Sequence, residues 1–282
     1  MRLSEINRFP VKSCRGQSLR DALVEPWGLA GDRRWMIVDE DGVLITAREH
    51  PRLLLVMPTL RPDGGLSFVS PDANALEVDV PGSSAGLVPV SVWKTTLDAT
   101  PAADAAHDFF STVLGLPARL VYLDDPTRRR PSQDFAGPDD RVSFADGYPL
   151  HLIPTASLDA LNDFIAAGPR ADEGPLPIIR FRPSVVVSGS AAWEEDGWRQ
   201  IRIGEAQFRV VKGCPRCVMT MVDPVSAETS KEPIASLAKH RRWDGATWFG
   251  MDLIPDNPGA TIRVGDEVEV LHAVPATNGP PR

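Results

Sequence analysis

Through roughly its first hundred residues the chain alternates short apolar stretches with clusters of Pro, Gly, Asp and Ser, the spacing of strands separated by tight turns. Segments 19–24 and 35–38 are rich in strand formers, and the second runs into Asp39-Glu40-Asp41-Gly42, whose Asp-Gly pair predicts a hairpin continuing over 43–46. Further strands are predicted over 53–57, 66–69, 76–80 and 88–93. Such regular short strands favour a barrel or sandwich over a parallel α/β sheet. The period changes at 102–114, where Ala102, Ala105, Ala106, Phe109, Phe110 and Val113 share one helical face and Gly115 supplies the stop. Residues 126–140 turn polar and rich in Pro and Arg, which predicts an exposed connection with Arg128, Arg129 and Arg130 in solvent. Segment 150–153 then predicts a strand leading through Thr155 and Ser157, a helix-capping region, into a helix ending near Ile165. Strands return at 178–181, 185–187, 200–203, 207–211, 261–264 and 267–271, with short helical character at 234–240. The pattern is that of a β-rich pair of domains with a few helices, joined between about residues 95 and 130.

Composition narrows the partners. With 43% hydrophobic and 24% charged residues the chain is built to fold, and 282 residues suffice for two cores. Thirty Lys and Arg against 38 Asp and Glu give a net charge of -8, which offers no electrostatic footing for non-specific nucleic-acid binding. The opening MRLSEINRFPVKSC lacks the apolar core and cleavage site of a secretory signal, and no apolar run is long enough to span a membrane. A cytoplasmic protein with no membrane partner is expected. Three cysteines, Cys14, Cys214 and Cys217, are too few for a disulfide framework, so cysteine matters here as chemistry if it matters at all.

The most informative local feature is Gly213-Cys214-Pro215-Arg216-Cys217, two cysteines flanking a guanidinium that favours thiolate, a nucleophile and soft metal ligand. A structural zinc site would need a second ligand pair that the chain does not offer. A thioredoxin-like dithiol would open a helix, whereas 218–224 reads as extended. Two small buried thiols with no role remain a third reading.

The motif sits within a longer pattern: Arg180 to Val187, Asp196-Gly197-Trp198, Ile203-Gly204 and Cys214 to Pro224. Upstream stand Phe9 to Cys14, Gly31 to Trp35 and Thr46 to Arg48, and downstream Phe249-Gly250 and Asn257 to Asp266. Together these resemble the MOSC-domain family with its N-terminal β-barrel domain, in particular the amidoxime-reducing components and bacterial reductases of N-hydroxylated compounds. The resemblance spans nearly the whole chain. It implies an α+β, predominantly β fold: an N-terminal β-barrel-like domain over 1–118, a MOSC β-barrel domain with peripheral helices over 119–272, and a flexible tail over 273–282.

The resemblance also implies a molybdenum cofactor, with Cys217 as the protein's thiolate ligand to the metal and the catalytic residue. Lys12, Ser13, Arg33, Thr155, Ser157, Arg182, Ser184 and Arg216 fall at positions similar to the family's cofactor-contacting residues. A pterin ending in a phosphate calls for such cations and hydroxyls. Of Arg33 and Arg34, adjacent on the chain, Arg33 is taken as the cofactor's partner. Ser184 departs from the Asn common among relatives and loses one donor and the reach of the amide. Asp223, before Pro224, either orients the cofactor or organises a turn, and Cys214 reads as a small buried residue.

The implied activity is molybdenum-dependent reduction of N-hydroxylated or N-oxide-type compounds such as amidoximes, with oxygen removed at the metal. Electrons would come from a separate protein, a flavoprotein reductase, a ferredoxin or a cytochrome b5-type donor, since the chain carries no plant-type ferredoxin cysteine run. The alternative is a MOSC module that binds the cofactor, or carries sulfur as a persulfide on Cys217, without reductase activity. Five scattered histidines suggest no second metal motif and no proton relay.

Overall fold

The structure, a computed structural model, describes residues 1–276 and 279–282. It is α+β and predominantly β, as the apolar pattern predicts. Among the described residues the largest sheet has nine strands. Its order runs Val268–Ala273, Trp198–Ile203, Ala206–Pro215, Ala246–Pro255, Leu150–Pro154, Val185–Ser188, Arg2–Arg8 and Gln17–Leu19, with Arg242–Trp243 pairing on Ala246–Pro255. A second sheet of four strands orders Trp35–Val38, Arg119–Tyr122, Thr95–Pro101 and Val88–Val92. Smaller sheets join Met57–Leu60, Leu66–Val69 and Leu76–Val78, and Thr261–Arg263 with Asp21–Glu25 and Gly28–Leu29.

Among the described residues three α-helices pack against these sheets: α1 (Asp104–Leu114), α2 (Thr155–Ala166) and α3 (Ile234–His240). Helix α1 buries Ala106, Phe109, Phe110 and Val113, the stripe that the 3.6-residue period marks, and stops at Gly115 in the left-handed region. Among the described residues no helix is long and apolar enough to cross a membrane.

The cores do not follow a cut at residue 118. Leu3, Ile6, Ala22, Val24 and Leu29 join Leu150, Val185, Phe208 and Met251 in one cluster, because Arg2–Arg8 lies antiparallel to Val185–Ser188. Leu120 and Val121, from the other side of the cut, complete the clusters built on Trp35, Phe110 and Val92, since Arg119–Tyr122 pairs with Trp35–Val38. Strands Arg2–Arg8, Asp21–Glu25 and Gly28–Leu29 therefore pack with the core of the second domain, whereas Val11, Cys14 and strand Arg119–Tyr122 pack with the cores of the first.

Several local expectations are corrected. Segment 51–55 is a 3-10 turn opened by Pro51, and the strand starts only at Met57. The 178–181 strand is a 3-10 turn between Pro177 and Pro183, with Arg180 buried beneath it. Segment 218–221, expected to be extended, is also a 3-10 turn. Arg129 is not in solvent: it is 4% exposed and donates to the carbonyls of Ser143, Ala145 (2.5 Å) and Asp146 (3.1 Å), tying the 126–129 loop to the 143–146 loop.

The tail expected to be flexible makes fixed contacts. Val274 N donates to the Gly197 carbonyl at 2.8 Å, Gly213 N donates to the Pro281 carbonyl at 2.8 Å, and Arg282 pairs with Asp244. The part of that tail at 277–278 lies outside the described residues.

Candidate functional site

Three turns set the site. The first follows Arg2–Arg8 and presents Lys12 and Ser13; the second, at 31–34, presents Arg33. They are pinned together by Asp32, wholly buried, whose Oδ1 accepts from Phe9 N at 2.7 Å and whose Oδ2 accepts from Arg33 Nη1 at 2.5 Å. Arg33 N donates to the Phe9 carbonyl at 2.7 Å and Lys12 N to the Trp35 carbonyl at 2.8 Å. That pinning explains why Gly31-Asp32-Arg33 and Phe9-Pro10-Val11-Lys12 stand together as motifs: one carboxylate organises both. The third turn, 178–181, ends on Arg182 in the left-handed region, and Arg182 Nη1 donates to the Cys14 carbonyl at 2.7 Å.

The strand Ala206–Pro215 then delivers Arg216 and Cys217 to the same place. Arg216 Nη2 donates to the Phe181 carbonyl at 2.9 Å, Arg216 N to the Thr247 carbonyl at 2.8 Å, and the Cys217 carbonyl accepts from Thr220 N at 3.1 Å. Lys12, Ser13, Arg33, Arg182, Arg216 and Cys217 all line one cavity of about 430 Å³. Cys217 is half-buried there, so its sulfur can be reached.

The electrostatics of this cavity favour an anion. Arg33 and Arg182 both stack on Phe9, with guanidinium carbons 4.5 and 4.1 Å from the ring centroid. Burial, and then the like charge of Arg33, push Arg182 down to about 9. Burial pushes Lys12 down to about 8, against the pull of its partner Asp146. Both depressions come first from burial, and an anion bound beside these groups would favour their charged forms. The Nε atoms of Arg180 and Arg216, both lining the cavity, are buried with no hydrogen-bond partner among the described residues.

Not every residue the sequence suggested comes to the cavity. Ser157 is wholly buried elsewhere: its hydroxyl donates to Glu195 Oε2 at 2.8 Å and accepts from Trp193 N at 2.9 Å. Thr155 opens α2 and does not line the cavity either. Ser184 lies behind the wall, its hydroxyl 3.4 Å from Arg33 Nη1 and accepting from His151 N at 3.2 Å. Its short side chain braces Arg33 but does not reach the open space.

Asp223 organises a turn: Oδ1 accepts from Val225 N and Ser226 N at 2.8 and 2.9 Å, and Oδ2 pairs with Arg180 at 2.9 Å. Arg34 turns away to the Leu123 carbonyl at 3.0 Å, which leaves Arg33 as the member of the pair in the cavity.

Sequence reasoning missed His151, Asp252, Arg48, Trp93 and Asp146, which also line the cavity. His151 Nε2 lies 3.1 Å from Arg216 Nη1, and a guanidinium can only donate, so Nε2 accepts and the ring proton sits on Nδ1, 3.6 Å from Asp252 Oδ1. Burial holds His151 down to about 4, so the ring is neutral near pH 7. Arg216 Nη1 also reaches Cys214 Sγ at 2.9 Å, while burial pushes that thiol well above its usual range. Cys214 is thus a protonated companion of Arg216 at the cavity wall. The only signal for His151 in the sequence was its place within an apolar strand, which many buried histidines share.

The protein is thus predominantly β, with N- and C-terminal segments closing over a cationic, thiol-bearing cavity. Residues 1–117 match the MOSC N-terminal beta barrel domain and residues 139–269 the MOSC domain, and the chain belongs to this family. It is 31% identical over 281 residues to the human mitochondrial amidoxime-reducing component 1, across 93% of this chain and 81% of that protein. It is 32% identical over 297 residues to the rat mitochondrial amidoxime reducing component 2, across 94% and 82%. A molybdenum cofactor sulfurase from rice is 32% identical over 265 residues, across 88% of this chain but 32% of that longer protein.

Proposed function

We propose that the cavity holds a molybdenum cofactor and that the protein reduces N-hydroxylated compounds, amidoximes and hydroxylated bases among them. The observation that carries this reading is the convergence of Lys12, Arg33, Arg182 and Arg216 on the cavity that exposes Cys217. The donor set suits the group. Guanidinium forks and an ammonium match a phosphate and a polar pterin, and a half-buried soft sulfur matches molybdenum. Ser13 adds a hydroxyl at the cavity wall, and Ser184 supports Arg33 from behind.

When bound, the metal would supply two-electron reduction and take up oxygen. The chain's own part is to ligate through Cys217, neutralise and orient the anionic cofactor, and keep His151 neutral so that Arg216 stays fixed. Electrons are supplied by a separate donor protein in this reading. The names of the amidoxime-reducing relatives, each matched over most of its length, favour a reductase over a sulfur carrier.

The test is molybdenum per chain, by mass spectrometry, in wild type and Cys217→Ser from a host that makes the cofactor, with pterin fluorescence as a second readout. Near-stoichiometric metal in wild type and loss in the variant, with turnover of an amidoxime by wild type, is the expected result. Metal-free wild type would sink the reading and bring forward the persulfide carrier, detectable as a labile sulfur on Cys217.

A further inference from the structure

The hairpin of Val88–Val92 and Thr95–Pro101 pairs Val92 with Thr95, so its turn is the two residues Trp93 and Lys94. Trp93 has φ of 54°, the left-handed region that two-residue hairpins normally fill with Gly, Asn or Asp. A bulky aromatic is the wrong choice for the turn. Nor does it serve a core, since it is 46% exposed.

It lines the cavity instead. Its indole Nε1 donates to Asp146 Oδ1 at 3.2 Å, and the Arg48 guanidinium lies 4.2 Å from its ring centroid. Asp146 pairs in turn with Lys12, and with Arg48 at 3.1 Å. A side chain that suits neither its backbone nor a core, yet is strapped in place at a binding cavity, has the marks of a ligand-contacting group.

We infer that Trp93, held by Arg48 and Asp146, is a specificity-determining wall of the substrate site, selecting neutral planar substrates with a π face, such as aryl amidoximes, over alkyl ones. Arg48 and Lys12 lie 4.2 and 5.8 Å from the ring centroid, and the rest of this half-exposed indole offers a flat apolar surface on which a ring gains contact that an alkyl group does not. Lys12, Arg33, Arg48 and Arg182 nearby would repel a cationic substrate, and the anionic cofactor of this reading would repel an anionic one, which leaves the preference with a neutral one. This inference rests on the reductase reading and names the substrate class of that same cavity.

The test compares wild-type holoenzyme with Trp93→Gly and Trp93→Phe, reading the ratio of kcat/KM for benzamidoxime to that for acetamidoxime, together with the melting temperature. In Trp93→Gly the ratio falls by about five-fold or more, the scale of one aromatic contact, while the melting temperature does not fall, because glycine accepts this φ. Trp93→Phe keeps a ring but loses the N–H, and its ratio stays within about two-fold of wild type.

An unchanged ratio in Trp93→Gly overturns the inference. So does an equal fall in Trp93→Phe, which would mean that Trp93 acts only by holding Asp146. If wild type reduces neither compound, the reductase reading fails, and the wall is judged by calorimetric binding of benzamidoxime. Binding kept in Trp93→Phe and lost in Trp93→Gly supports it; no binding to wild type, or equal binding by all three, overturns it.

Discussion

Gly250 offers the sharpest link between backbone geometry and the cavity, and Gly250→Ala is the perturbation that tests it. The residue sits inside Ala246–Pro255, the central strand, with φ of 74°. The ladder to Ala206–Pro215 shifts register there, Gly213 pairing with Met251 and Pro215 with Trp248, so the strand carries a bulge. A Cβ at Gly250 would meet His151 Cε1 at 2.5 Å, His151 Nε2 at 2.8 Å and the Leu152 carbonyl at 2.7 Å. An L side chain in the left-handed region costs roughly 1–2 kcal/mol. Overpacking against a ring and a strand carbonyl that cannot move away adds about 1–3 kcal/mol. The expected loss is therefore about 2–5 kcal/mol, and on the scale of 2–4 °C per kcal/mol the midpoint drops by roughly 4–20 °C.

The consequence reaches the site, because the ring that is struck is the one accepting from Arg216. Thermal unfolding of wild type, Gly250→Ala, His151→Ala and the double variant separates backbone strain from ring displacement as a coupling free energy. The His151→Ala background should recover about 1 kcal/mol of the Gly250→Ala loss, the part owed to the ring. The variant should also copurify with less molybdenum if the Arg216 geometry matters to the cofactor. A Gly250→Ala loss below about 1 kcal/mol, or one identical in both backgrounds, would refute the reasoning.

Two further outcomes follow from burial and from the way the sheet is assembled. Glu195 is wholly buried with Oε1 unpartnered, and burial, reinforced by the charge of Asp196 against the Ser157 hydrogen bond, pushes its carboxyl up to about 7. Its folded pKa lies above the unfolded value of about 4.3, so the stability it contributes is complete below that value and lost as pH rises through 7. Glu195→Gln cannot ionise and should exceed wild type in unfolding free energy at pH 8, by up to about 3 kcal/mol, with the gap closing by about pH 4; a gap of the same size at both pH values would contradict this. Separately, a fragment of 139–282 contains the whole stretch matching the MOSC domain yet lacks Leu3, Ile6, Val24 and Leu29 from its core. It should give a collapsed amide spectrum and no cooperative melt, and a sharp two-state transition would show that the N-terminal strand is dispensable.

What the sequence made legible is what local spacing controls. Helix α1, its Gly115 stop and the 234–240 helix follow from period and punctuation. Arg216 and Cys217 followed from a short motif, and Lys12, Ser13 and Arg33 from motifs that one buried carboxylate, Asp32, turns out to join. Ala246–Pro255 was not foreseen, because its residues from Trp248 onward are buried on both faces and so carry no alternation. Arg129 read as a surface charge because nothing local reveals that the carbonyls of 143–146 curl around its guanidinium. Thr155 and Ser157 resembled cofactor contacts, but tertiary packing gives the Ser157 hydroxyl to Glu195. His151 and Asp252 meet only because Leu150–Pro154 and Ala246–Pro255 pair in register.

The cavity is also where local rules are broken together. Among the described residues, seven that are not glycine have positive φ, and four of them, Ser13, Arg33, Trp93 and Arg182, line the cavity. Each such position costs of order 1 kcal/mol or more, and glycine would relieve it at no steric cost. Glycine cannot supply a hydroxyl, a guanidinium or an indole, so the strain is tolerated where those groups are required. The four come from turns far apart in sequence, three before residue 118 and one after, so no window of local sequence could reveal that they meet. What holds them together is the closure of one half on the other: Arg182 on the Cys14 carbonyl, Lys12 on the Phe144 carbonyl at 2.6 Å and Arg15 on the Pro224 carbonyl. The site is therefore a property of the docked halves, and a substitution that loosens any of these three clasps should release strain and dismantle the cationic cavity in the same step.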